Sequence, residues 1–354
     1  MDNSSKKFLE NLLRIASPSG FEKEAVELWK TEAKIFTQDV QSDIHGNAIA
    51  RLTGKTDKII MLAGHIDEIG LMISYIDPQG YLYFNPIGGW DAQILPGQRV
   101  RIYTKSGTVI KGVIGRTPIH CLSPEAEKQT VKIEDLWIDI GQSQEYVHKN
   151  ISVGDYAVID YEPEFWGDVL VSRGLDDKIG AFVALEVLKK VKNIFQHSIE
   201  ATICAVATVQ EEIGLRGART AAYYLNPLIG IAVDVTFATD CPQTDKKKNG
   251  DIELGKGPVI SVGPNINPQI HNLLVETAKE ANIPYQIEAA PGGTGTDANV
   301  IQLTRSGVAT GLVSIPNRYM HSPCEMVNIN DVENAIKLIT AFCVSKTMHK
   351  NFNL

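Results

Sequence analysis

Four runs of almost uninterrupted apolar residues constrain the fold of this chain most strongly. They are IIMLA at 59–63, ATICAVATV at 201–209, IGIAV at 229–233 and VATGLVSI at 308–315. Amphipathic segments lie between them, such as DDKIGAFVALEVLKKV, whose apolar residues recur at helical spacing. Strands that are apolar on both faces are typical of a sheet covered by helices on each side. We therefore predict a three-layer α/β fold built on a mixed sheet.

A different pattern occupies residues 73–162. Short β-branched and aromatic segments alternate there with Gly, Pro, Asn and Asp turn signals, and no convincing amphipathic helix is visible. We predict a small β-rich domain at 73–162. It interrupts an α/β domain that is assembled from residues 1–72 and 163–354.

Composition narrows the class of protein. The chain has 354 residues, of which 44% are hydrophobic and 21% charged, as in ordinary globular proteins. A net charge of −8 disfavours a nucleic-acid partner, and no apolar run approaches the roughly 20 residues of a membrane span. No secretory signal is visible, and five scattered cysteines without a CxxC pair fit a reducing compartment. The expected location is the cytoplasm, with neither a nucleic-acid nor a membrane partner.

Polar residues follow the apolar runs at the point where each predicted strand ends. Sites in α/β sheets form outside the carboxyl ends of the strands. The residues predicted to meet there are His65, Asp67, Glu68, Asp176, Asp177, Glu211, Glu212, Asp234 and His321. Each has an ordinary alternative when read alone: a hydrogen-bonded histidine, a helix-capping aspartate or a solvated turn. Their coincidence predicts a metal site.

The residue types indicate the metal and the chemistry. Two imidazoles and several carboxylates, without a thiolate, suit Zn²⁺, Co²⁺ or Mn²⁺, and the surplus of carboxylates favours a second ion. His65 and Asp67 are two residues apart on an extended chain, so Asp67 is expected to orient the histidine. Of the adjacent Glu211 and Glu212, one is expected to bind metal and the other to act as a general base. This is the chemistry of metal-assisted hydrolysis.

Five motifs in one order carry a family resemblance. GHIDEIG, SRGLDDKIG, QEEIGLRGA, AVDVTFATD and IPNRYMHSP resemble the glutamyl aminopeptidase and tetrahedral aminopeptidase family of dinuclear metallopeptidases, over essentially the whole chain. The resemblance implies removal of N-terminal residues from peptides, with two divalent ions per subunit, Zn or Co. It also implies that the 73–162 insert is a PDZ-like dimerisation domain and that dimers assemble into dodecamers.

The resemblance further implies a role for each of seven residues. One ion would be bound by His65 and Asp234 and the other by Glu212 and His321, with Asp176 bridging the two. Glu211 would be the catalytic base, and Asp67 would orient the surroundings of His65.

Several questions stay open at the level of sequence. The same metal centre could act on another bond, as in a glucanase-labelled relative or a deacylase, or the chain could be a non-catalytic assembly protein. The substrate-binding residues are unknown, and so is the preferred N-terminal residue. Glu68, His120 and Asp297 have no assigned role. Three arginines, Arg216, Arg305 and Arg318, could each bind an acidic side chain of the substrate or form a structural ion pair.

Overall fold

The computed structural model of the protein describes residues 1–194, 199–345 and 352. The α-helices of this described part are, in chain order, α1 (Asn3–Arg14), α2 (Lys23–Ala33), α3 (Pro124–Glu127), α4 (Gln144–Asn150), α5 (Leu175–Ile194), α6 (Arg216–Leu225), α7 (Lys246–Asn249), α8 (Pro268–Glu280), α9 (Ala298–Ile301) and α10 (Ile329–Val344). None of them is long and apolar enough to cross a membrane.

The strands of the described part belong to two separate sheets. They are β1 (Val40–Ser42), β2 (Ala48–Leu52), β3 (Ile59–His65), β4 (Gly70–Ile76), β5 (Leu82–Ile87), β6 (Arg99–Tyr103), β7 (Val109–Gly115), β8 (Trp137–Asp139), β9 (Tyr156–Ile159), β10 (Glu164–Trp166), β11 (Val169–Ser172), β12 (Thr202–Thr208), β13 (Ile229–Phe237), β14 (Val259–Val262), β15 (Gln286–Ala289), β16 (Ala309–Arg318) and β17 (Glu325–Asn328).

The larger sheet is mixed and carries the predicted apolar strands at its centre. Its order is β1-β2-β12-β3-β13-β16-β17-β11-β10, with β14 paired to β16 and to β15. The four central strands β12, β3, β13 and β16 run parallel to one another. The predicted α/β fold with a mixed sheet is confirmed, and the carboxyl ends of these four strands lie at one edge.

Helices cover both faces of this sheet because its central strands are apolar on both sides. In β3, Ile60 and Leu62 join a core with α1, α2, α5, α8 and α10. The alternate residues Met61 and Ala63 join a second core with α6 and α9. The alternation follows the two-residue period of a strand, so the main unit has three layers.

The second sheet is a closed barrel of six strands in the order β4-β5-β8-β7-β6-β9. Its strands lie between Gly70 and Ile159, and it has an apolar core of its own. Two short helices, α3 and α4, also lie within the 73–162 insert. Helix α4 has only seven residues, too few to show an amphipathic repeat, and Ser143 caps it by accepting a hydrogen bond from the amide of Tyr146.

Helix α5 contacts the centre of the large sheet unusually closely. A Cβ atom at Gly64 of β3 would lie 2.2 Å from the backbone of Gly180 in α5, so only glycine allows this approach. The contact brings the first turn of α5 to the end of β3. Asp176 and Asp177 in that turn have non-helical backbone angles and are joined by a cis peptide bond.

Candidate metal centre and active-site cavity

Three neighbouring parallel strands deliver four of the predicted site residues. His65 is the last residue of β3, and Asp234 lies in the second half of β13. Glu211 and Glu212 follow the end of β12 at Thr208. Parallel strands end at the same edge of a sheet, so these side chains meet there for the reason that the sequence indicated.

Asp176 lies between the two histidines of the site. Its Oδ1 atom is 3.1 Å from Nε2 of His65, and its Oδ2 atom is 3.2 Å from Nε2 of His321. Nε2 of His321 is also 3.5 Å from Oε1 of Glu212. A carboxylate that offers one oxygen to each of two histidine positions has the arrangement expected of a ligand shared by two ions.

The remaining carboxylates complete two overlapping groups. Possible ligand atoms of His65, Asp176 and Glu212 lie within 4.8 Å of one another, and so do those of His65, Glu211 and Asp234. Oε2 of Glu211 is 3.7 Å from Nε2 of His65. The adjacent glutamates thus belong to different groups, as expected for neighbours on a chain that point in different directions.

Asp67 supports the cluster from beneath. Nδ1 of His65 lies 3.1 Å from the carbonyl oxygen of Asp67 and 3.5 Å from its Oδ1 atom. The Asp67 carboxylate also accepts hydrogen bonds from the amides of Glu211 and Glu212, at 3.1 and 3.2 Å, and from the hydroxyl of Ser19 at 2.6 Å. Asp67 therefore holds the glutamate pair as well as the histidine, and the sequence indicated only the second contact.

Two further buried acids hold the backbone of the site. Glu325 accepts hydrogen bonds from the amides of Asp176 and His321, at 3.0 and 2.9 Å. Asp177 accepts one from the amide of His65 at 3.1 Å. The sequence signal for Asp177 was its place beside Asp176, whereas Glu325 had no signal beyond its position four residues after His321.

The site concentrates negative charge. Burial raises the pKa of Glu211 to about 10, with a contribution from neighbouring carboxylates. The pKa of His321 rises to about 11 because its ring contacts Asp176 and Glu212. Burial alone would lower the pKa of His65, but Glu211 and the other acids around the ring raise it well above its ordinary value. The carboxylates outnumber the cationic groups, so the cluster is suited to taking up positive charge.

The donor atoms fit divalent metal ions. The cluster offers imidazole nitrogens and carboxylate oxygens without a thiolate, which is the donor set that Zn²⁺ and Co²⁺ accept at catalytic sites. In the described part of the chain, Oε1 of Glu212 is buried without a hydrogen-bond partner. A buried carboxylate oxygen is costly to leave unsatisfied, and a metal ion beside His321 would satisfy it.

Glu68 and Asp297, which the motifs left without a role, have identifiable contacts. Glu68 forms buried ion pairs with Arg173 and with Lys178, the latter at 2.8 Å. These pairs give Glu68 a structural role beneath the site. Asp297 is buried at the start of α9 and accepts a hydrogen bond of 2.5 Å from Thr208 at the end of β12, while burial raises its pKa to about 6.

A cavity of about 420 Å³ opens onto the cluster. Besides the cluster itself, its walls come from the ends of β13 and β15, from the middle of β16 and from residues 293–296. The barrel also approaches the site: a Cβ atom at Gly89 would lie 3.1 Å from Nδ1 of His321, and one at Gly88 would lie 3.0 Å from Oε2 of Glu212. The loop between β5 and β6 can come this close because it has no side chains at these positions.

The arginines considered as readers of an acidic side chain have other contacts. Arg318 forms a bidentate ion pair with Asp240, with distances of 2.8 and 2.6 Å. Arg305 stacks on the ring of Tyr223 at 4.2 Å, and Arg216 is exposed. None of the three lines the cavity within the described ranges, and neither does the exposed His120.

The chain matches the model of a known protein family over most of its length. Residues 46–338 match the family described as M42 glutamyl aminopeptidase. Among curated proteins, a lysyl aminopeptidase from Pyrococcus furiosus is 40% identical over 341 residues, which cover 95% of each chain.

Solved structures give matching results. A TET aminopeptidase from a marine sediment archaeon of the Thaumarchaeota superposes with a TM-score of 0.93 at 33% identity, covering 98% of both chains. A TET1 peptidase from Pyrococcus horikoshii, which can assemble into a tetrahedron or a large octahedral shell, has a TM-score of 0.84 at 33% identity. That match covers 96% of this chain and 99% of the other.

Proposed function

The chain belongs to the M42 glutamyl aminopeptidase family and is a peptidase. We propose that it removes N-terminal residues from peptides, and that it uses two divalent metal ions held at the cluster around Asp176 to do so. The observation that carries this proposal is the position of Asp176, with one oxygen 3.1 Å from His65 and the other 3.2 Å from His321. The expected ions are Zn²⁺ or Co²⁺.

Five residues would hold the two ions. His65 and Asp234 would bind one ion, Glu212 and His321 would bind the other, and Asp176 would be shared by the two. Divalent ions at such a centre act as Lewis acids toward a scissile carbonyl and make a water-derived nucleophile available near neutral pH.

Glu211 is the proposed general base. Its side chain is 8% exposed and belongs to the group around His65 and Asp234. A carboxylate in this position takes a proton from the attacking water at Oε2 and passes it to the leaving amine. Asp67 keeps Glu211 in place by accepting a hydrogen bond from its amide at 3.1 Å.

The test compares Glu211→Gln with the parent enzyme. Activity is measured on aminoacyl p-nitroanilides and on a β-glucan, and bound metal is measured by elemental analysis on the same samples. We expect Glu211→Gln to keep its metal and to lose turnover by a factor of at least about 10³, since the general base and its negative charge are both removed. Glu280→Gln at an exposed position of α8 is the matched control.

Two outcomes contradict the proposal. Turnover of Glu211→Gln comparable to the parent would show that the base is another group. Full activity of a chelator-treated sample without detectable metal would exclude the metal mechanism, whereas recovery on adding Zn²⁺ or Co²⁺ supports it. Cleavage of the β-glucan but not of the p-nitroanilides would favour the alternative of a different bond.

The proposal extends to assembly and location. The 73–162 insert is proposed to pair subunits, and the dimers to build a dodecamer of about twelve times 38.8 kDa. The TET1 relative that assembles into shells supports this. Light scattering on the purified protein tests it, since a stable monomer would contradict it. No disulfide links the cysteines in the described part of the chain, which fits the proposed cytoplasmic location.

A further inference from the structure

We propose that Glu288 makes this enzyme select peptides whose N-terminal residue has a positively charged side chain, lysine or arginine. The inference rests on the proposed function, because it concerns the side chain of the residue that is removed. It uses a part of the cavity that neither the metal cluster nor the general base occupies.

Glu288 lies in β15 and lines the same cavity as the metal cluster. Its Oε1 atom accepts a hydrogen bond of 2.8 Å from the hydroxyl of Thr236. Thr236 is two residues after Asp234 on β13, so the two side chains point to the same side and are separated by about 6–7 Å along the strand. The four-carbon stem of a lysine can span such a distance, starting from a backbone held at the metals.

Glu288 is half-buried and lacks a cationic partner. In the described part of the chain, Glu288 forms no ion pair with a lysine or an arginine, and no lysine or arginine lines the cavity. Burial raises the pKa of Glu288, opposed only by the hydrogen bond from Thr236. A carboxylate in this condition gains more from an incoming ammonium or guanidinium group than an exposed carboxylate does.

Glu288 is the acid in the cavity lining whose charge the proposed metal ions would not balance. Its lining contains Asp176, Glu211, Glu212, Asp234 and Glu288. Two divalent ions at the proposed centre would balance the formal charge of the first four. Glu288 is then the remaining negative group, so the space beside it attracts a cation and repels an acidic side chain.

The apolar part of the cavity lining suits the stem of a basic residue. Ala289, Leu312 and Met320 line the cavity with apolar groups. Methylene groups of lysine or arginine can lie against such a surface while the charged end reaches a carboxylate. An aliphatic side chain would fill the same space but would leave Glu288 without a cationic partner and partly dehydrated.

The experiment measures selectivity between side chains that share a four-carbon stem and differ in the charged end. Lysyl and norleucyl p-nitroanilides differ by the terminal ammonium group, and the glutamyl compound reverses the charge. We expect the metal-loaded parent to have a kcat/KM for lysine roughly 10- to 100-fold above norleucine, and Glu288→Gln to lose most of this ratio, as expected for a hydrogen bond to a charged group. Thr236→Val, which removes the supporting hydroxyl, should lower the ratio less, and Glu280→Gln should leave it unchanged.

Three results would overturn the inference. One is a parent that prefers norleucine or glutamate. Another is a Glu288→Gln variant that keeps the parental ratio. A third is an equal loss for every substrate in Glu288→Gln, because it would mean that Glu288 binds the α-amino group that all of them share.

A binding measurement separates this inference from the proposed function. Calorimetry compares L-lysine with L-norleucine on the metal-loaded protein, and needs no turnover. Tighter binding of lysine that is lost in Glu288→Gln supports the inference even if no p-nitroanilide is hydrolysed, an outcome that would refute the proposed function. Equal binding of the two amino acids in the parent would refute the inference.

Discussion

Replacing Glu68 by Gln distinguishes a structural acid from a catalytic one directly beside the proposed metal centre. The Glu68 carboxylate pairs with Arg173 and Lys178, whose side chains are 4% and 0% exposed. Burial alone would raise the pKa of Glu68, but the two cations lower it from 4.5 to about 2. A glutamine keeps the shape of the side chain and removes the charge, so both cations stay buried without a counterion.

The expected loss of stability follows from the pKa shift. A shift of roughly 2.5 units corresponds to about 3 kcal/mol, at the lower end of the roughly 3–5 kcal/mol for breaking a buried ion pair. An unfolding entropy of roughly 2.1 cal/mol/K per residue over 354 residues gives about 0.7 kcal/mol/K. Glu68→Gln should therefore lower the Tm by about 4–5 °C.

The same contribution depends on pH in a defined direction. The pKa of Glu68 is lower in the folded protein than in the unfolded chain, so its stabilisation is fully present above about pH 4.5 and is lost as the pH falls toward 2. The difference in Tm between parent and Glu68→Gln should shrink over that interval.

Calorimetry at pH 7 and at steps down to pH 3 checks both expectations. Glu27→Gln is the matched control, since Glu27 pairs with Lys30 at 2.9 Å on the surface and should change the Tm by less than about 1 °C. A Glu68→Gln variant with the parental Tm and a lost metal ion would refute this reasoning and would make Glu68 part of the metal centre.

Three further substitutions probe the support of the site. Glu325→Gln weakens the hydrogen bonds that hold two proposed ligands and should lower metal affinity by roughly 10- to 100-fold, measured by competition with a chromophoric chelator; parental affinity would contradict this. Asp67→Asn should lower kcat by a similar factor while circular dichroism stays parental, and parental kcat would show that Asp67 does not support the catalytic groups. Gly89→Ala places a Cβ atom 3.1 Å from Nδ1 of His321 and should weaken metal binding severalfold, unlike Gly292→Ala, where no atom lies within 4 Å; equal effects of the two would refute the close contact.

The central part of the fold could be predicted because local sequence determines it. Strands such as IIMLA are apolar on both faces, and this property alone indicates a sheet buried between helices. The position of His65 at the end of β3 follows from the same pattern, since polar residues cannot continue a buried strand without partners. Parallel strands then bring His65, Glu211 and Asp234 to one edge.

Other parts depend on contacts between distant segments and leave no local pattern. Glu325 holds the amides of Asp176 and His321, and the sequence around it reads as an ordinary strand. Glu68 stands in the most prominent motif, yet its partners Arg173 and Lys178 are more than a hundred residues away. A carboxylate next to a histidine in sequence indicates metal binding and structural pairing equally, and only the three-dimensional contacts separate them.

The positions of bound zinc ions would show whether Asp176 lies between two metal ions. Crystals grown with Zn²⁺ would be measured at the zinc absorption edge, and anomalous difference maps would locate each ion. We expect two peaks per chain, one beside His65 and Asp234 and one beside Glu212 and His321, with Asp176 between them. A single peak, or peaks away from these side chains, would contradict it.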